Sequence, residues 1–161
     1  MIMADYIGDL RKLIGTRPII MCGANVILLN DQDQILLHHR IDRDWWGLPG
    51  GAMELGESFE QTASREVLEE VGLVCEELKL FNVYSGENLY YKYPDGNEVY
   101  NVTITYLCKD YSGEIVVDPS EGRDACFFPL DMIPSNLSST IKEIVEEFLL
   151  KYHDLKAQRV I

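Results

Sequence analysis

Residues 46–73 read WGLPGGAMELGESFEQTASREVLEEVGL, a glycine-dense turn that runs directly into a helix-forming segment. Ser58 and Gln61 have the spacing of a capping box, in which each side chain can bind the backbone amide of the other. Gly72 can take the left-handed conformation that commonly ends a helix. The stretch therefore predicts a tight turn followed by a helix from Ser58 to Val71.

Helical periodicity places three glutamates of this segment beside its buried face. Glu70 falls within the apolar stripe, Glu66 lies at its edge, and Glu69 lies about 60° beyond Glu66. The stripe itself repeats every four residues: Phe59, Ala63, Val67 and Val71. Three carboxylates are thus expected along the margin of the core.

An ordinary acidic helix face exposed to water is the simplest reading of these glutamates, but three costs oppose it. Glu66 and Glu70 form a like-charge pair on one face, which is unfavourable by a few tenths of a kcal/mol. Glu69 and Glu70 lie in the last turn, where the helix dipole disfavours anions by roughly 0.3–1 kcal/mol each. Glu70 also loses hydration. A divalent cation would offset all three costs.

The chemistry of such a cation points to phosphoryl substrates. Hard cations such as Mg²⁺ prefer oxygen ligands, and they commonly bind one or two carboxylates together with substrate phosphates. They neutralise phosphate oxygens and activate water for attack. Arg65 can orient one of the carboxylates through a salt bridge, or it can form an ordinary surface pair with Glu69.

The full spacing resembles the Nudix box at every specified position. That spacing covers Gly51, five residues, Glu57, seven residues, Arg65-Glu66-Val67, one residue, Glu69-Glu70, one residue and Gly72-Leu73. The preceding Trp46 to Gly50 also resembles the approach to the box in that family. No box residue is replaced, so the resemblance gives no sign of lost catalysis.

The resemblance implies an α/β/α sandwich and a Mg²⁺-dependent hydrolase, with Mn²⁺ as a possible substitute. Its substrate would be a nucleoside diphosphate linked to another moiety. Carried over by position, the metal ligands would be Glu66, Glu69 and Glu70, one of them a candidate base, together with the Gly50 carbonyl. Arg65 and Glu57 would brace these glutamates.

Many members of the family supply one more acidic residue from a late loop. Glu121, within the segment Asp118 to Arg123, is the candidate for this metal ligand or general base. The alternative is an ordinary surface loop, because loops rich in Pro, Ser and Gly are commonly acidic.

Substrate recognition is expected just upstream of the box. Arg40 and Arg43 could meet phosphates, and Trp45 could stack on a base, while Trp46 is expected to pack in the core. Three tyrosines near a turn fit a stacking wall, a homodimer contact or plain hairpin packing. They are Tyr90, Tyr91 and Tyr93.

The whole pattern predicts one α+β domain over residues 1–161, with a mixed β-sheet flanked by helices on both faces. Residues 19–29 and 34–39 are predicted to form a hairpin of two core strands, and residues 99–107 to form a strand with one apolar and one polar face. The remaining predicted segments are an N-terminal helix at 5–14, the Nudix box at 51–73 and a C-terminal helix at 140–152.

The net charge of −13 disfavours non-specific binding to nucleic acid or to an anionic membrane. No apolar run is long enough for a membrane span, and the acidic N-terminus does not resemble a signal peptide. The four cysteines lack a C-x-x-C pair and sit in or beside apolar stretches, which indicates reduced, buried thiols of a cytoplasmic protein.

Two functions remain open from the sequence. The first is a pyrophosphohydrolase that acts on ADP-ribose-like nucleotide sugars or on (modified) nucleoside triphosphates. The second is a nucleotide-sensing regulatory module that keeps the same fold. Intact Glu66, Glu69 and Glu70 favour the enzyme, since a pure binding module has no need of all three.

Overall fold

A computed structural model of the chain describes residues 5–41 and 44–161. The elements of these ranges are, in chain order, α1 (Tyr6–Ile14), β1 (Ile19–Leu28), β2 (Ile35–Arg40), β3 (Trp46–Gly47), β4 (Gly50–Ala52), α2 (Phe59–Val71), β5 (Leu73–Cys75), β6 (Lys79–Tyr84), a 3₁₀ turn (Glu87–Leu89), β7 (Tyr90–Lys92), β8 (Glu98–Cys108), β9 (Tyr111–Gly113), β10 (Gly122–Phe128) and α3 (Ser139–Ala157).

The main sheet is built around β1 and β8. These two strands run parallel, with Ile19 opposite Val99 and Leu28 opposite Cys108. β4 pairs antiparallel with the other edge of β1, while β6 and β7 pair antiparallel with β8. A second antiparallel sheet has the order β10-β2-β3, and β5 pairs with β9. The main sheet is therefore mixed, as the sequence predicted.

Alternate residues of β1 face two different helical layers. Val26 packs in the cluster that contains Val67 of α2, whereas the next residue, Ile27, packs in the cluster that contains Phe148 of α3. Side chains alternate across a strand, so one strand can supply both cores. The sheet lies between α2 and α3, which confirms the α/β/α sandwich.

The predicted hairpin between β1 and β2 is wrong in its pairing. The turn forms as expected, with the Asn30 side chain accepting hydrogen bonds from the Gln32 and Gln34 amides at 3.0 and 2.9 Å. The two strands then meet at a single bridge, between Leu29 and Ile35. β8 and β4 already occupy the edges of β1, so β2 joins the second sheet.

The predicted division of β8 into an apolar and a polar face is also wrong. Tyr100 is exposed, whereas Val99, Thr105 and Leu107 are buried. β8 is an interior strand with β1 on one edge and β6 on the other, and helices cover both faces of its second half. Both faces of that half are therefore core, which a period-two pattern does not reveal.

The prediction of four buried thiols fails at Cys22, which is exposed in the first half of β1. Cys108 is buried, and Cys75 and Cys126 are partly buried. The helix α3 continues to Ala157, beyond the segment expected from the apolar stripe. None of the helices in the described part of the chain is long and apolar enough to cross a lipid bilayer.

Asp33 ties the turn after β1 to two distant parts of the chain. Its carboxylate accepts hydrogen bonds from Lys109 at 2.6 Å and from the Tyr152 hydroxyl at 2.7 Å, and it pairs with Lys156. The bonds from Lys109 and Lys156 hold the pKa of Asp33 well below its ordinary value. Ionised Asp33 therefore stabilises the fold at neutral pH.

We predict that Asp33→Asn lowers the free energy of unfolding at pH 7 by about 1–2 kcal/mol. Asn tolerates the left-handed backbone that Asp33 adopts, with φ of 56°, so the substitution removes the charge and one acceptor oxygen without straining the turn. Because the folded-state pKa is depressed, the difference from the wild type should shrink as pH falls below about 4. Urea unfolding at pH 7 and pH 3 measures both values.

The control is Asp31→Asn, an exposed position in the same turn, which should change stability by less than about 0.5 kcal/mol. An Asp33→Asn loss of equal size at both pH values would contradict the assignment.

Candidate functional site

Both ends of α2 are fixed by local chemistry. The Ser58 hydroxyl accepts from the Gln61 amide at 3.2 Å, and the Gln61 side chain accepts from the Ser58 amide at 2.7 Å. Gly72 ends the helix with φ of 76°, and its amide donates to the Leu68 carbonyl. The predicted capping box and left-handed end are confirmed, so the glutamates occupy the expected helical positions.

The burial of the three glutamates follows the order that periodicity predicted. Glu70 is 3% exposed, Glu66 is partly buried and Glu69 is exposed. Carboxylates are rarely buried without a partner. Each buried glutamate therefore needs a partner, and the partners of the three glutamates define the site.

Arg65 binds three of the acidic side chains at once. Its guanidinium donates to Glu57 at 2.6 and 3.0 Å, to Glu66 at 2.8 Å and to Glu69 at 3.1 Å. A further bond at 2.9 Å reaches the Ala52 carbonyl in β4. The planar guanidinium has five N–H donors in a fixed fork, which lysine could not reproduce. One side chain thus connects α2, the preceding loop and β4.

Glu57 connects the loop to the helix. In addition to Arg65, its carboxylate accepts from the Thr62 hydroxyl at 2.8 Å and from the Glu54 amide at 2.9 Å. The Arg65 guanidinium lowers the pKa of Glu57 to about 2. This carboxylate therefore stays ionised and is bound to the Arg65 guanidinium through both oxygens.

Glu66 lies directly against the glycine turn. A Cβ atom at Gly51 would come within 2.6 Å of the Glu66 carboxylate, so only glycine leaves room for it there. Burial raises the pKa of Glu66 to about 7, against the opposing effect of Arg65, and the nearby Glu70 and Glu69 raise it further. Burial and the two neighbouring carboxylates therefore disfavour the ionised form of Glu66, and Arg65 favours it.

Glu70 reaches through to the other side of the turn. It accepts from the Gly50 amide at 2.9 Å and from Arg40 at 3.4 Å. The buried His38 places its Nδ1 atom 3.5 Å from the Glu70 carboxylate. Sequence reasoning missed this contact. The available signal was a histidine directly after the apolar residues Ile35 to Leu37 of β2, because a buried imidazole needs a polar partner.

The remaining predicted residues fall into three groups. Arg40 and Trp45 line a cavity of about 530 Å³ that also contains Gly50, Gly51 and Glu66. Glu121 is exposed, and its carbonyl accepts from the Ile41 amide at 3.2 Å, one residue beyond Arg40. Arg43 lies outside the described residues.

The aromatic residues divide between the cavity and the core. Trp45 contacts Tyr91 edge to face, with ring centroids 6.5 Å apart, and Tyr93 packs against Tyr91 at 4.9 Å. All three line the cavity. Trp46 instead stacks on His39 and packs edge-on against Phe128.

The carboxylate oxygens of these glutamates are suitable ligands for a divalent cation, but they do not converge on one point. Within residues 5–41 and 44–161, no three His, Cys, Asp or Glu side chains converge as a metal-binding group. Glu66 and Glu69 are directed to Arg65, and Glu70 to Gly50 and Arg40. The oxygen-only donor set and the excess negative charge around Glu66 suit a hard cation.

Comparisons with known proteins agree with this geometry. The NUDIX domain family profile matches residues 21–148. A putative 8-oxo-dGTP diphosphatase of Bacillus subtilis is 56% identical over 50 residues, which is 31% of this chain and 34% of that protein. The putative mutator protein MutT4 of Mycobacterium tuberculosis is 33% identical over 119 residues, covering 70% of this chain and 46% of that protein. The chain thus spans less than half the length of either relative.

Among solved structures, a MutT NUDIX hydrolase from Burkholderia pseudomallei has the same fold, with a TM-score of 0.67 and 28% identity over 81% of this chain and 97% of that one. The family generally uses a divalent metal ion. Because the profile match covers well over half of the chain and includes the complete box, the protein belongs to the NUDIX hydrolase family.

Proposed function

We propose that this protein hydrolyses a phosphoanhydride bond in a nucleoside diphosphate linked to another moiety, with Mg²⁺ as its cofactor. The observation that carries the proposal is the glutamate face of α2, held by the Arg65 guanidinium at the wall of a nucleotide-sized cavity. With a net charge of −13, the chain would repel a polyphosphate unless a cation intervened.

The residues proposed to hold the cation are Glu66, Glu69, Glu70 and the Gly50 carbonyl. Mg²⁺ at such ligands neutralises phosphate oxygens and lowers the pKa of water. The chain's own contribution is orientation. Arg65 and Glu57 fix Glu66 from one side, while the Gly50 amide and His38 fix Glu70 from the other.

Two exposed carboxylates are candidates for the general base. Glu69 contacts Arg65 at the margin of the helix, and Glu121 lies in the turn that precedes β10. A base must reach the attacking water and remain ionised near neutral pH. Both side chains are open to solvent, so an attacking water has access to them.

For the substrate, we propose (modified) nucleoside triphosphates ahead of ADP-ribose-like nucleotide sugars. The support is the relative from Bacillus subtilis, a putative 8-oxo-dGTP diphosphatase that is 56% identical to this chain over 50 residues. Arg40 beside Glu70 and Trp45 in the cavity are suited to a phosphate and a base, respectively.

We predict that the wild type releases a nucleoside monophosphate from at least one member of a panel containing GTP, 8-oxo-dGTP, ATP and ADP-ribose, only when Mg²⁺ or Mn²⁺ is present. Glu70→Gln should lower kcat by about 100-fold or more, because it removes a charge needed at the cation. Glutamine can still accept from the Gly50 amide, so circular dichroism should show an unchanged fold. Product chromatography measures turnover.

The matched control is Glu60→Gln on the first turn of the same helix, where the carboxylate accepts from the Tyr106 hydroxyl at 2.9 Å. Its kcat should stay within about threefold of the wild type, since it lies outside the cluster. Undiminished turnover by Glu70→Gln would overturn the metal assignment. If no member of the panel is cleaved with either cation, the nucleotide-sensing function replaces the enzyme.

We also predict that Gly51→Ala lowers kcat by at least about tenfold, because the new methyl group must displace the Glu66 carboxylate. Gly51 has no left-handed backbone that would resist alanine, so the melting temperature should change little. Gly47→Ala is the control, since its Cβ atom would lie 3.8 Å from Ile141, an ordinary contact. Equal activity in the two variants would show that the Glu66 position is unimportant.

A further inference from the structure

The buried histidine of β2 lies between two parts of the proposed site. His38 is 1% exposed and follows the apolar residues Ile35 to Leu37. Its Nδ1 atom lies 3.5 Å from the Glu70 carboxylate, and both side chains are almost completely buried. Its other ring nitrogen, Nε2, has no hydrogen-bond partner among the described residues. Only one nitrogen of the ring therefore has a polar neighbour, and that neighbour belongs to the glutamate helix.

The unpaired nitrogen argues against a role for His38 in packing alone. A buried polar atom without a partner costs free energy, and an apolar side chain in the same place would avoid that cost. The three residues before His38 are apolar and fully buried, so the surroundings would accept leucine. A buried unpaired group in a folded protein calls for an explanation. The explanation that the structure offers is the contact of Nδ1 with Glu70.

The chemistry of the two groups sets the tautomer of the ring. A carboxylate can only accept hydrogen bonds, whereas a neutral imidazole has one N–H donor and one acceptor nitrogen. With its proton on Nδ1, His38 is a donor to Glu70. Nε2 then carries no hydrogen, so a backbone segment can pack closely against that side of the ring.

The residue packed against that side is Gly122, the buried first residue of β10. A Cβ atom at Gly122 would lie 1.9 Å from His38 Nε2 and 2.6 Å from its Cδ2 atom. Gly122 does not have the left-handed backbone that favours glycine. Glycine is therefore required at this position by the imidazole ring and not by the turn.

Hydrogen bonds hold the backbone around Gly122 in place. The amides of Glu121 and Gly122 both donate to the Asp118 carbonyl at 3.0 Å. The Glu121 carbonyl accepts from the Ile41 amide at 3.2 Å, and Gly122 lies opposite Arg40 in the pairing of β10 with β2. The turn that bears Glu121 is thus fixed to the end of β2, and its position limits where the imidazole can lie.

The imidazole in turn limits the orientation of the Glu70 carboxylate. Oε2 of Glu70 accepts from the Gly50 amide at 2.9 Å and is the oxygen that lies 3.5 Å from His38. Oε1 lies on the side of Arg40, at 3.4 Å. His38 and Arg40 are two residues apart on β2 and therefore share one face of the strand. Oε2 is the anchored oxygen, which leaves Oε1 as the one presented to a cation.

We propose that His38 is a positioning residue that fixes Glu70 relative to the turn bearing Glu121, and that Gly122 sets the place of its imidazole. The inference rests on the proposed function for the roles of Glu70 and Glu121, and it adds the physical link between them. Loss of a hydrogen-bond partner behind a metal ligand commonly lowers metal affinity by roughly 10–100-fold.

The first test is the dissociation constant for Mn²⁺ of the full chain, measured by electron paramagnetic resonance titration. His38→Leu should weaken binding by about tenfold or more. His38→Asn should stay within about threefold of the wild type, because its amide nitrogen takes the place of Nδ1. The matched control is His39→Leu, whose ring stacks on Trp46 and lies on the other face of β2, and it should stay within about twofold. Equal affinities of the leucine and asparagine variants at position 38 would rule out the role.

The second test is a double-mutant cycle between positions 122 and 38. Gly122→Ala should weaken Mn²⁺ binding by about fivefold or more, because the new methyl group must displace the imidazole. In a His38→Ala background the same change should cost less than about twofold, since no ring remains to be displaced. Losses that multiply in the double variant would show that Gly122 acts independently of His38, and the link would be disproved.

The third test needs neither a metal nor a variant at position 38. Nitrogen-15 NMR of histidine-labelled wild type reports the tautomer of each of the three histidines. The signal of His38 is the one that persists in both His39→Leu and His153→Gln. It should show the Nδ1–H tautomer, and an Nε2–H tautomer would overturn the inference. A wild type with the Nδ1–H tautomer but no saturable Mn²⁺ binding would support the contact with Glu70 and contradict the proposed cation site instead.

Discussion

The five donors of the Arg65 guanidinium hold the site together. Glu57, Glu66 and Glu69 all bind this one side chain, which also reaches the Ala52 carbonyl on the sheet. In a chain with 27 acidic and 14 basic residues, a group of like charges beside the core would otherwise repel. The bidentate bond from Arg65 to Glu57 fixes the loop. The remaining donors hold the carboxylates of Glu66 and Glu69 in defined orientations. The arrangement of the glutamates on α2 therefore depends on the Arg65 guanidinium.

The glycine turn sets the distance between that helix and the sheet. A Cβ atom at Gly50 would lie 2.3 Å from the Ala24 carbonyl, and one at Gly51 would meet Glu66. Glycine at these two positions lets the turn lie against β1 and against the Glu66 carboxylate, and the turn places the Gly50 amide against Glu70. On the opposite face of the same strand, Asn25 faces the cavity. One strand and one turn thus connect the glutamates with the cavity.

The sequence predicted those features that depend on neighbouring residues. The capping box at Ser58, the left-handed Gly72 and the burial of Glu70 each follow from spacing along one helix, and all are present. Features that depend on strands far apart in the sequence could not be predicted from it. The β1–β2 hairpin was wrong because β8, about 80 residues later, takes an edge of β1. The contact of His38 with Glu70 and the close approach of Gly122 to His38 likewise require knowledge of which strands become neighbours.

We propose that the glutamate face of α2 binds a divalent cation and that Arg65 maintains its geometry. The most direct measurement is the dissociation constant for Mn²⁺, obtained by electron paramagnetic resonance titration without nucleotide, for the wild type and for Arg65→Lys. The account predicts saturable binding by the wild type and binding about tenfold or more weaker in the variant, because a lysine ammonium lacks the fork of donors with which Arg65 binds three carboxylates. Equal affinity in the two proteins, or no saturable binding by the wild type, would contradict it.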